Sequence, residues 1–362
     1  MDNAHQKNNR MFLSAKSLHR LTFTRFIAVL IVVAFHFGAN AFPFNNELIS
    51  SIFRHGPQAV LYFFFLSGFI MSSVYATASS SDFNTKKYWI ARIARIYPLY
   101  FLGLCFSYYI TTPTNTELAL NTLLVQSWFS NYALTMNNPG WSLSVEAFFY
   151  AAFPFFVRFL TRDRVKSALA VSIILYATHE FFVLYLIHNA SMGYSKPEIM
   201  STLTPYFPLR NLPIFLLGAS IGATIKHYGI PRWLYNSLKN PALPTILLLL
   251  WIHFHLQFSA IAFALLITSL TFCSSNLVSA LSGRAGVFLG EASYAIYIIH
   301  YPLYLWFLSR IASKIDGTET LKFYFFTLIA IAVAIPLYVL VENPARKAIN
   351  NLYRPRKGLI AN

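Results

Sequence analysis

The sequence predicts an all-α integral membrane protein with about ten transmembrane helices and both termini in the cytoplasm, and three observations support this fold class. Of the 362 residues, 56% are hydrophobic and only 11% are charged, whereas a soluble domain carries roughly a quarter charged residues. The apolar residues form runs of about 20, the length that a helix needs to cross a bilayer. Finally, the chain contains 28 Lys and Arg residues but only 12 Asp and Glu residues. This composition excludes a disordered chain, a coiled coil and an ordinary soluble enzyme, and it gives no reason to expect a nucleic-acid partner.

The apolar runs define ten candidate spans along the chain. The seventh and eighth are short, because His253 and His255 lie between them, so a re-entrant pair or one long tilted helix stays open there. The ten runs cover residues 23–40, 56–77, 96–112, 141–160, 167–188, 207–226, 241–256, 258–275, 287–309 and 322–341.

The Lys and Arg residues predict the orientation of these spans. With ten spans and a cytoplasmic N-terminus, 22 of the 28 basic residues fall in cytoplasmic segments, and residues 113–139 carry none. Cytoplasmic loops are enriched in Lys and Arg, so this distribution favours an even number of spans. We therefore expect a cytoplasmic segment at 1–18, a transmembrane domain at 19–347 and a basic cytoplasmic tail at 348–362.

An ionisable side chain inside a membrane span costs free energy, so each such residue is a candidate functional residue. Arg25 and His36 are eleven residues apart in the first span, which places them on one helix face and roughly 16 Å apart along the axis. A neutral imidazole in the membrane is a candidate general base. The structural alternative is a core histidine that hydrogen bonds a backbone carbonyl.

A pair of arginines precedes the third span. Arg92 and Arg95 are spaced i, i+3 and share a helix face, where two guanidinium groups can grip phosphate oxygens. The alternative is a basic anchor that contacts lipid head groups.

Polar residues also interrupt the fourth and ninth spans. Trp141 and Ser142 open a motif that continues to Glu146, and this polar stripe predicts a cavity wall or a hydrogen bond to a neighbouring helix. Tyr297 and His300 lie on a similar Tyr/His stripe, for which the same two interpretations hold. His179, Glu180 and His188 are interpreted as interfacial residues.

Two further features concern the end of the chain and its chemistry. Glu342 ends the tenth span, and its i, i+4 spacing to Arg346 predicts a local ion pair. The two cysteines, Cys105 and Cys273, lie in spans and are too few for a zinc site, so no metal is expected.

In combination, these motifs resemble the acyltransferase-3 family of integral-membrane acyltransferases that modify cell-surface carbohydrates. The resemblance covers residues 19 to 347 and depends on the order of the blocks. The blocks are Arg25 with His36, residues 63–69, Arg92-x-x-Arg95 with Tyr97-Pro98, residues 141–146, residues 293–302 and Glu342-x-Pro344.

The resemblance implies an enzyme of the cytoplasmic (inner) membrane that uses cytoplasmic acyl-CoA, usually acetyl-CoA, as its donor. The acceptor would be a hydroxyl of a carbohydrate or lipid-linked glycan. It places Arg25 and His36 at the catalytic centre and Arg92 and Arg95 at the CoA phosphates, with Glu146 and Glu342 as secondary catalytic candidates. We expect Trp141, Ser142, Tyr297 and His300 to bind substrate.

Some members of this family carry a fused SGNH domain, and we expect a stand-alone form here, in contact with membrane lipids and with homo-oligomerisation left open. The alternative function is a multi-span transporter or flippase of a glycan or lipid intermediate. The absence of an inverted repeat in the sequence argues against it.

Overall fold

The fold comes from a computed structural model, which describes residues 15–53, 56–76, 83–191, 205–253, 258–273 and 275–352. All regular secondary structure in these ranges is helical. The α-helices are α1 (Ala15–Phe37), α2 (Glu47–Phe53), α3 (Gly56–Tyr75), α4 (Thr85–Thr111), α5 (Asn115–Thr122), α6 (Trp141–Phe156), α7 (Val165–Ser191), α8 (Pro208–Tyr228), α9 (Arg232–Leu238), α10 (Ala242–His253), α11 (Ser259–Phe272), α12 (Asn276–Leu281), α13 (Arg284–Arg310), α14 (Glu319–Leu337) and α15 (Asn343–Leu352).

Seven helices within the described ranges are long and apolar enough to cross a membrane, and each corresponds to a predicted span. The predicted spans at 241–256 and 258–275 correspond to α10 and α11, which have only 12 and 14 residues. The predicted span at 287–309 lies within α13, which has 27 residues but does not count among the seven. The multi-pass class is therefore confirmed, while the number ten and the orientation of the termini stay predictions. His255 lies outside the described residues, and so does most of the tail predicted at 348–362.

Four helices, α1, α3, α8 and α13, form the centre of the bundle: α1 packs against α3 and α13, and α3 packs against α8. The contact between α3 and α8 is so close that a Cβ atom on Gly68 would overlap the carbonyl oxygen of Phe215. A Cβ atom on Gly218 would overlap the carbonyl oxygen of Phe65 in the same way. Small residues allow this approach of two backbones, as is common between membrane helices.

The segment between α4 and α6, free of basic residues, is an ordered cap on one end of the bundle. A capping box between Thr114 and Glu117 starts α5. The amide of Gln126 donates to the carbonyl of Gly140 at 3.0 Å, and the amide of Asn137 donates to the carbonyl of Ile298 at 2.9 Å. These bonds fix the start of α6, with Trp141 and Ser142, against α13.

A π-helical turn, Tyr338–Glu342, separates α14 from α15. The backbone N–H of Asn343 donates to the carbonyl of Tyr338, five residues earlier. A regular α-helix here would bring the ring of Pro344 against the carbonyl of Leu340. The wider turn accommodates this proline, and Glu342, which is 1% exposed, faces the bundle interior.

Candidate active site

A cavity of about 350 Å³, here called the arginine cavity, is formed by α1, α3, α4, α6, α13 and α15. It holds most of the charged residues that the sequence singles out. Its charged lining residues are Arg25, Arg92, Arg95, Arg346, Glu146 and Glu291.

Arg92 is held within a group of tyrosines. Its guanidinium carbon lies between 5.6 and 5.9 Å from the ring centroids of Tyr75, Tyr88 and Tyr150, and the Tyr75 hydroxyl lies 3.4 Å from one of its terminal nitrogens. Its buried Nε atom has no hydrogen-bond partner among the described residues. The aromatic faces stabilise the cation, which leaves N–H groups available to an anionic ligand in the cavity.

Arg95 forms an ion pair with Glu342 and also lies over the ring of Tyr294, at 5.6 Å from its centroid. The sequence predicts that Glu342 pairs locally with Arg346, but the structure pairs it with Arg95 of α4. The π-turn explains the difference, because the extra residue changes the direction in which Glu342 leaves the helix. The other carboxylate oxygen of Glu342, Oε2, is buried and has no partner in the part of the chain that the structure describes.

Glu146 lines the same cavity and accepts hydrogen bonds from two neighbours. The Tyr150 hydroxyl donates at 2.5 Å and the Ser67 hydroxyl at 3.4 Å, both to Oε1. Ser142 lies one helical turn before Glu146, and its hydroxyl is 2.6 Å from the hydroxyl of Tyr297. The stripe predicted on α6 therefore faces a cavity and also hydrogen bonds to α13.

A second cavity of about 440 Å³, here called the histidine cavity, lies next to His36. Its polar and aromatic lining residues include His36, Gln58, Asn138, Trp141, Tyr176, His179, Glu180, Tyr206, Arg210, Asn211 and Tyr297. The described lining residues include one carboxylate, Glu180, and one guanidinium, Arg210, so their formal charges cancel. In the arginine cavity, four arginines exceed two glutamates.

His36 is hydrogen bonded to a second histidine. Its Nδ1 atom lies 3.1 Å from Nε2 of His300, and the two rings are stacked with centroids 5.2 Å apart. His300 is completely buried and lines neither cavity.

The backbone of α13 determines which nitrogens of this pair carry hydrogen. Nδ1 of His300 lies 2.8 Å from the carbonyl oxygen of Tyr297 and 3.2 Å from that of Ile296. A carbonyl can only accept, so Nδ1 of His300 carries the hydrogen, and Nε2 of the neutral ring is an acceptor. Nδ1 of His36 must then donate to it. In the neutral pair, the free lone pair of His36 is therefore on Nε2.

The two cavities are adjacent, because Val60 and Tyr297 line both. We call this shared wall the junction. Arg25 lines the arginine cavity and His36 the histidine cavity, so the shared face of α1 predicted from their spacing extends from one cavity to the other.

Eight of the ten site residues predicted from the sequence line these cavities. The other two, Glu342 and His300, pair with the lining residues Arg95 and His36. Sequence reasoning missed the pairing of His36 with His300 and the roles of Gln58, Arg346 and the His179–Glu180 pair in the cavity walls. The sequence does contain a signal for His179 and Glu180, because these two adjacent ionisable residues interrupt the apolar sequence of α7. Among the described residues, no group of three or more His, Cys, Asp or Glu side chains is arranged to hold a metal ion.

Comparison with known proteins agrees with the resemblance seen in the motifs. The profile of the Acyl_transf_3 family, described as an acyltransferase domain, matches residues 18–339. Acyltransferase MdmB of Streptomyces mycarofaciens is 27% identical over 380 residues, which cover 92% of each chain. The putative peptidoglycan O-acetyltransferase YrhL of Bacillus subtilis (strain 168) is 24% identical over 362 residues, which cover 89% of this chain and 54% of YrhL. No solved structure matches the chain.

The family match spans all the helices that build the two cavities except α15, from α1 to the start of the π-turn, and the chain has several helices that can cross a membrane. This protein belongs to the acyltransferase-3 family and is a multi-pass membrane acyltransferase.

Proposed function

We propose that the protein is an O-acyltransferase of the cytoplasmic membrane that moves an acyl group, in the first instance acetyl, from acyl-CoA to a hydroxyl of a carbohydrate or lipid-linked glycan. The observation that carries this proposal is the junction of a cavity rich in arginine with a second cavity that contains an imidazole base. The name of the relative YrhL, a putative peptidoglycan O-acetyltransferase, supports a glycan acceptor and an acetyl donor.

The donor binds in the arginine cavity. Arg92 and Arg95 contact the CoA phosphates, and Arg25 lies farther in, on the path to the junction. An arginine fork suits phosphate because it offers several N–H donors in one plane. The thioester then reaches the junction near Val60 and Tyr297, where His36 is accessible from the other side.

The transfer is direct in this proposal. Nε2 of His36 takes the proton from the acceptor hydroxyl as its oxygen attacks the thioester carbonyl carbon. The C–S bond breaks, CoA leaves as a thiolate, and the proton held by His36 neutralises it to the thiol. A thioester is already activated, so the protein contributes positioning, proton transfer and exclusion of water.

His300 acts through His36. By accepting the hydrogen bond from Nδ1 of His36, it holds the ring in the tautomer and orientation that present Nε2 to the histidine cavity, and it stabilises the imidazolium that forms during transfer. We therefore propose His300 as a positioning residue, in place of the expectation that it contacts the acceptor. Trp141 and Tyr297, in contrast, line the cavity and contact the acceptor.

The experiment that tests the proposal follows radiolabelled acetyl-CoA in membranes that contain the protein. Wild-type protein should transfer label to glycan or lipid-linked sugar, and replacing His36 with Ala should reduce transfer ~100-fold or more, the usual contribution of a general base. His188→Ala, a change of an exposed histidine outside both cavities, is the matched control. Transport of glycan without incorporation of label would instead favour the transporter alternative, and full activity of His36→Ala would exclude the assignment of the base.

A further inference from the structure

The wall of the histidine cavity contains two hydrogen-bonding atoms that have no partner among the residues that the structure describes. These are Oε1 of Gln58 and Nε2 of His179, and both are buried. A buried polar atom without a partner costs about 1–3 kcal/mol, so such atoms in a native cavity point to a bound partner, a ligand or a water molecule, that satisfies them.

Both atoms are acceptors. Oε1 of Gln58 is a carbonyl oxygen and cannot donate. Nδ1 of His179 lies 3.7 Å from the carboxylate of Glu180, which favours hydrogen on Nδ1 and leaves a lone pair on Nε2 of the neutral ring. With this tautomer, a ligand that satisfies both atoms supplies a hydrogen-bond donor to each of them.

The charges of the cavity restrict the ligand further. Among the described lining residues, Glu180 and Arg210 carry the charges, one of each sign, so this part of the wall favours a neutral ligand over a polyanion. Trp141 and Tyr206 add two aromatic faces whose ring centroids lie 5.0 Å apart. Neutral donors next to aromatic rings fit hydroxyl groups on a compact ring.

We propose that Gln58 and His179 determine acceptor specificity by accepting hydrogen bonds from two hydroxyl groups of a neutral, hydroxyl-rich ring, apart from the hydroxyl that His36 deprotonates. This inference rests on the proposed function and deepens it, because it defines which acceptors the histidine cavity admits. A site whose polar atoms bond hydroxyl groups discriminates strongly against analogues without those hydroxyls, because the polar atoms of the site are then left unpaired. An apolar site discriminates much less between such ligands.

A binding experiment tests the proposal without depending on catalysis. Saturation-transfer difference NMR on the full-length protein in detergent uses two probes, methyl β-D-glucopyranoside and 2-methoxytetrahydropyran, the same ring without its ring hydroxyls. Wild-type protein should transfer saturation to the glucoside and much less to the analogue. The Gln58→Leu/His179→Phe double variant should lose at least half of the glucoside signal. Equal signals from both probes, or an unchanged signal in the double variant, would overturn the proposal.

Kinetics then distinguish failure of this inference from failure of the proposed function. A detergent extract of envelope glycans is titrated as acceptor with radiolabelled acetyl-CoA, and we expect Gln58→Leu to raise the KM for acceptor about 10-fold, equivalent to one lost hydrogen bond of ordinary strength. The KM for acetyl-CoA should not change. Glu319→Gln, which alters an exposed carboxylate outside the cavities, is the control.

Each other outcome has a defined meaning. If wild-type protein transfers label but Gln58→Leu leaves the KM for acceptor unchanged, the assignment of Gln58 is wrong while the enzyme function stands. If Gln58→Leu raises the KM for acetyl-CoA instead, the histidine cavity holds the donor. If wild-type protein transfers no label, the proposed function fails, and an intact glucoside signal would leave only a binding site for a hydroxyl-rich ring.

Discussion

His300 is a fully buried histidine of α13. On its own helix it is one polar residue on a Tyr/His stripe, yet its Nε2 atom meets Nδ1 of His36 across 264 residues of chain. The backbone carbonyl of Tyr297 fixes the hydrogen of His300 on the far nitrogen. A backbone group of α13 thus sets the tautomer of the His36 imidazole on α1, because the hydrogen bond at one ring nitrogen decides which nitrogen carries the hydrogen.

This relation predicts how substitutions of His300 behave. His300→Phe preserves ring volume in a fully buried position but removes the acceptor for Nδ1 of His36, so we expect kcat to fall about 100-fold while both KM values stay within about twofold. His300→Gln keeps an amide oxygen as acceptor and should recover part of the loss. Steady-state kinetics of purified protein provide the measurement. Equal loss in the two variants, together with a lower thermal midpoint, would indicate a purely structural role for this side chain.

Substitutions of Arg92 test whether this residue binds the acyl donor. Its cation is surrounded by three aromatic rings, so Arg92→Lys retains the charge but not the planar group that stacks on them and bonds phosphate. We expect the KM for acetyl-CoA to rise about 10-fold in Arg92→Lys and further in Arg92→Gln, with the KM for acceptor unchanged. Arg158→Gln, at an exposed arginine outside the cavities, is the control. A lipid anchor would instead leave both KM values unchanged.

At the scale of the helices, the pair between Arg95 and Glu342 connects α4 to the π-turn. Glu342 is 1% exposed and Arg95 is 14% exposed, and loss of one partner of a buried pair typically costs 3–5 kcal/mol. We expect Glu342→Gln to destabilise the protein by about 3 kcal/mol, observed as a lower midpoint of thermal unfolding in detergent.

The double variant Arg95→Met/Glu342→Leu separates stability from donor binding. Apolar replacement of a whole buried pair is often neutral or stabilising, so the thermal midpoint should return toward that of the wild type. Activity should not return if Arg95 also contacts the donor. Recovery of both properties would show that the pair serves only to hold the helices together.

The contact of α3 with α8 depends on the absence of side chains at two positions. Because a Cβ atom on Gly218 would overlap the carbonyl oxygen of Phe65, Gly218→Ala must push the helices apart. We expect a markedly lower yield of folded protein after detergent extraction, judged by size-exclusion chromatography. At Gly140 the nearest atom to an added Cβ is 3.5 Å away, so Gly140→Ala should keep the folded yield of the wild type.

For the molecule as a whole, the sequence predicts which residues matter better than it predicts their partners. Spacing along one helix correctly places Arg25 and His36 on a face that lines both cavities, because the helical repeat alone determines that relation. It cannot determine which helix lies opposite, and so it pairs Glu342 with Arg346 when the actual partner is Arg95. Gln58 and the His179–Glu180 pair in the wall of the histidine cavity were missed for the same reason, since that wall is built from helices distant in sequence.

Orientation in the membrane decides which cavity meets cytoplasmic acyl-CoA, and labelling of cysteines can determine it. The basic residues predict that Asn131, in the segment without Lys or Arg, faces outward and that Asp163, between α6 and α7, faces the cytoplasm; both are exposed. In a background with Cys105→Ser and Cys273→Ala, a membrane-impermeant maleimide should label Asn131→Cys in intact cells. It should label Asp163→Cys only after the membrane is permeabilised. The opposite pattern would place the arginine cavity on the outer side, where acyl-CoA is not supplied, and would exclude the direction of transfer proposed above.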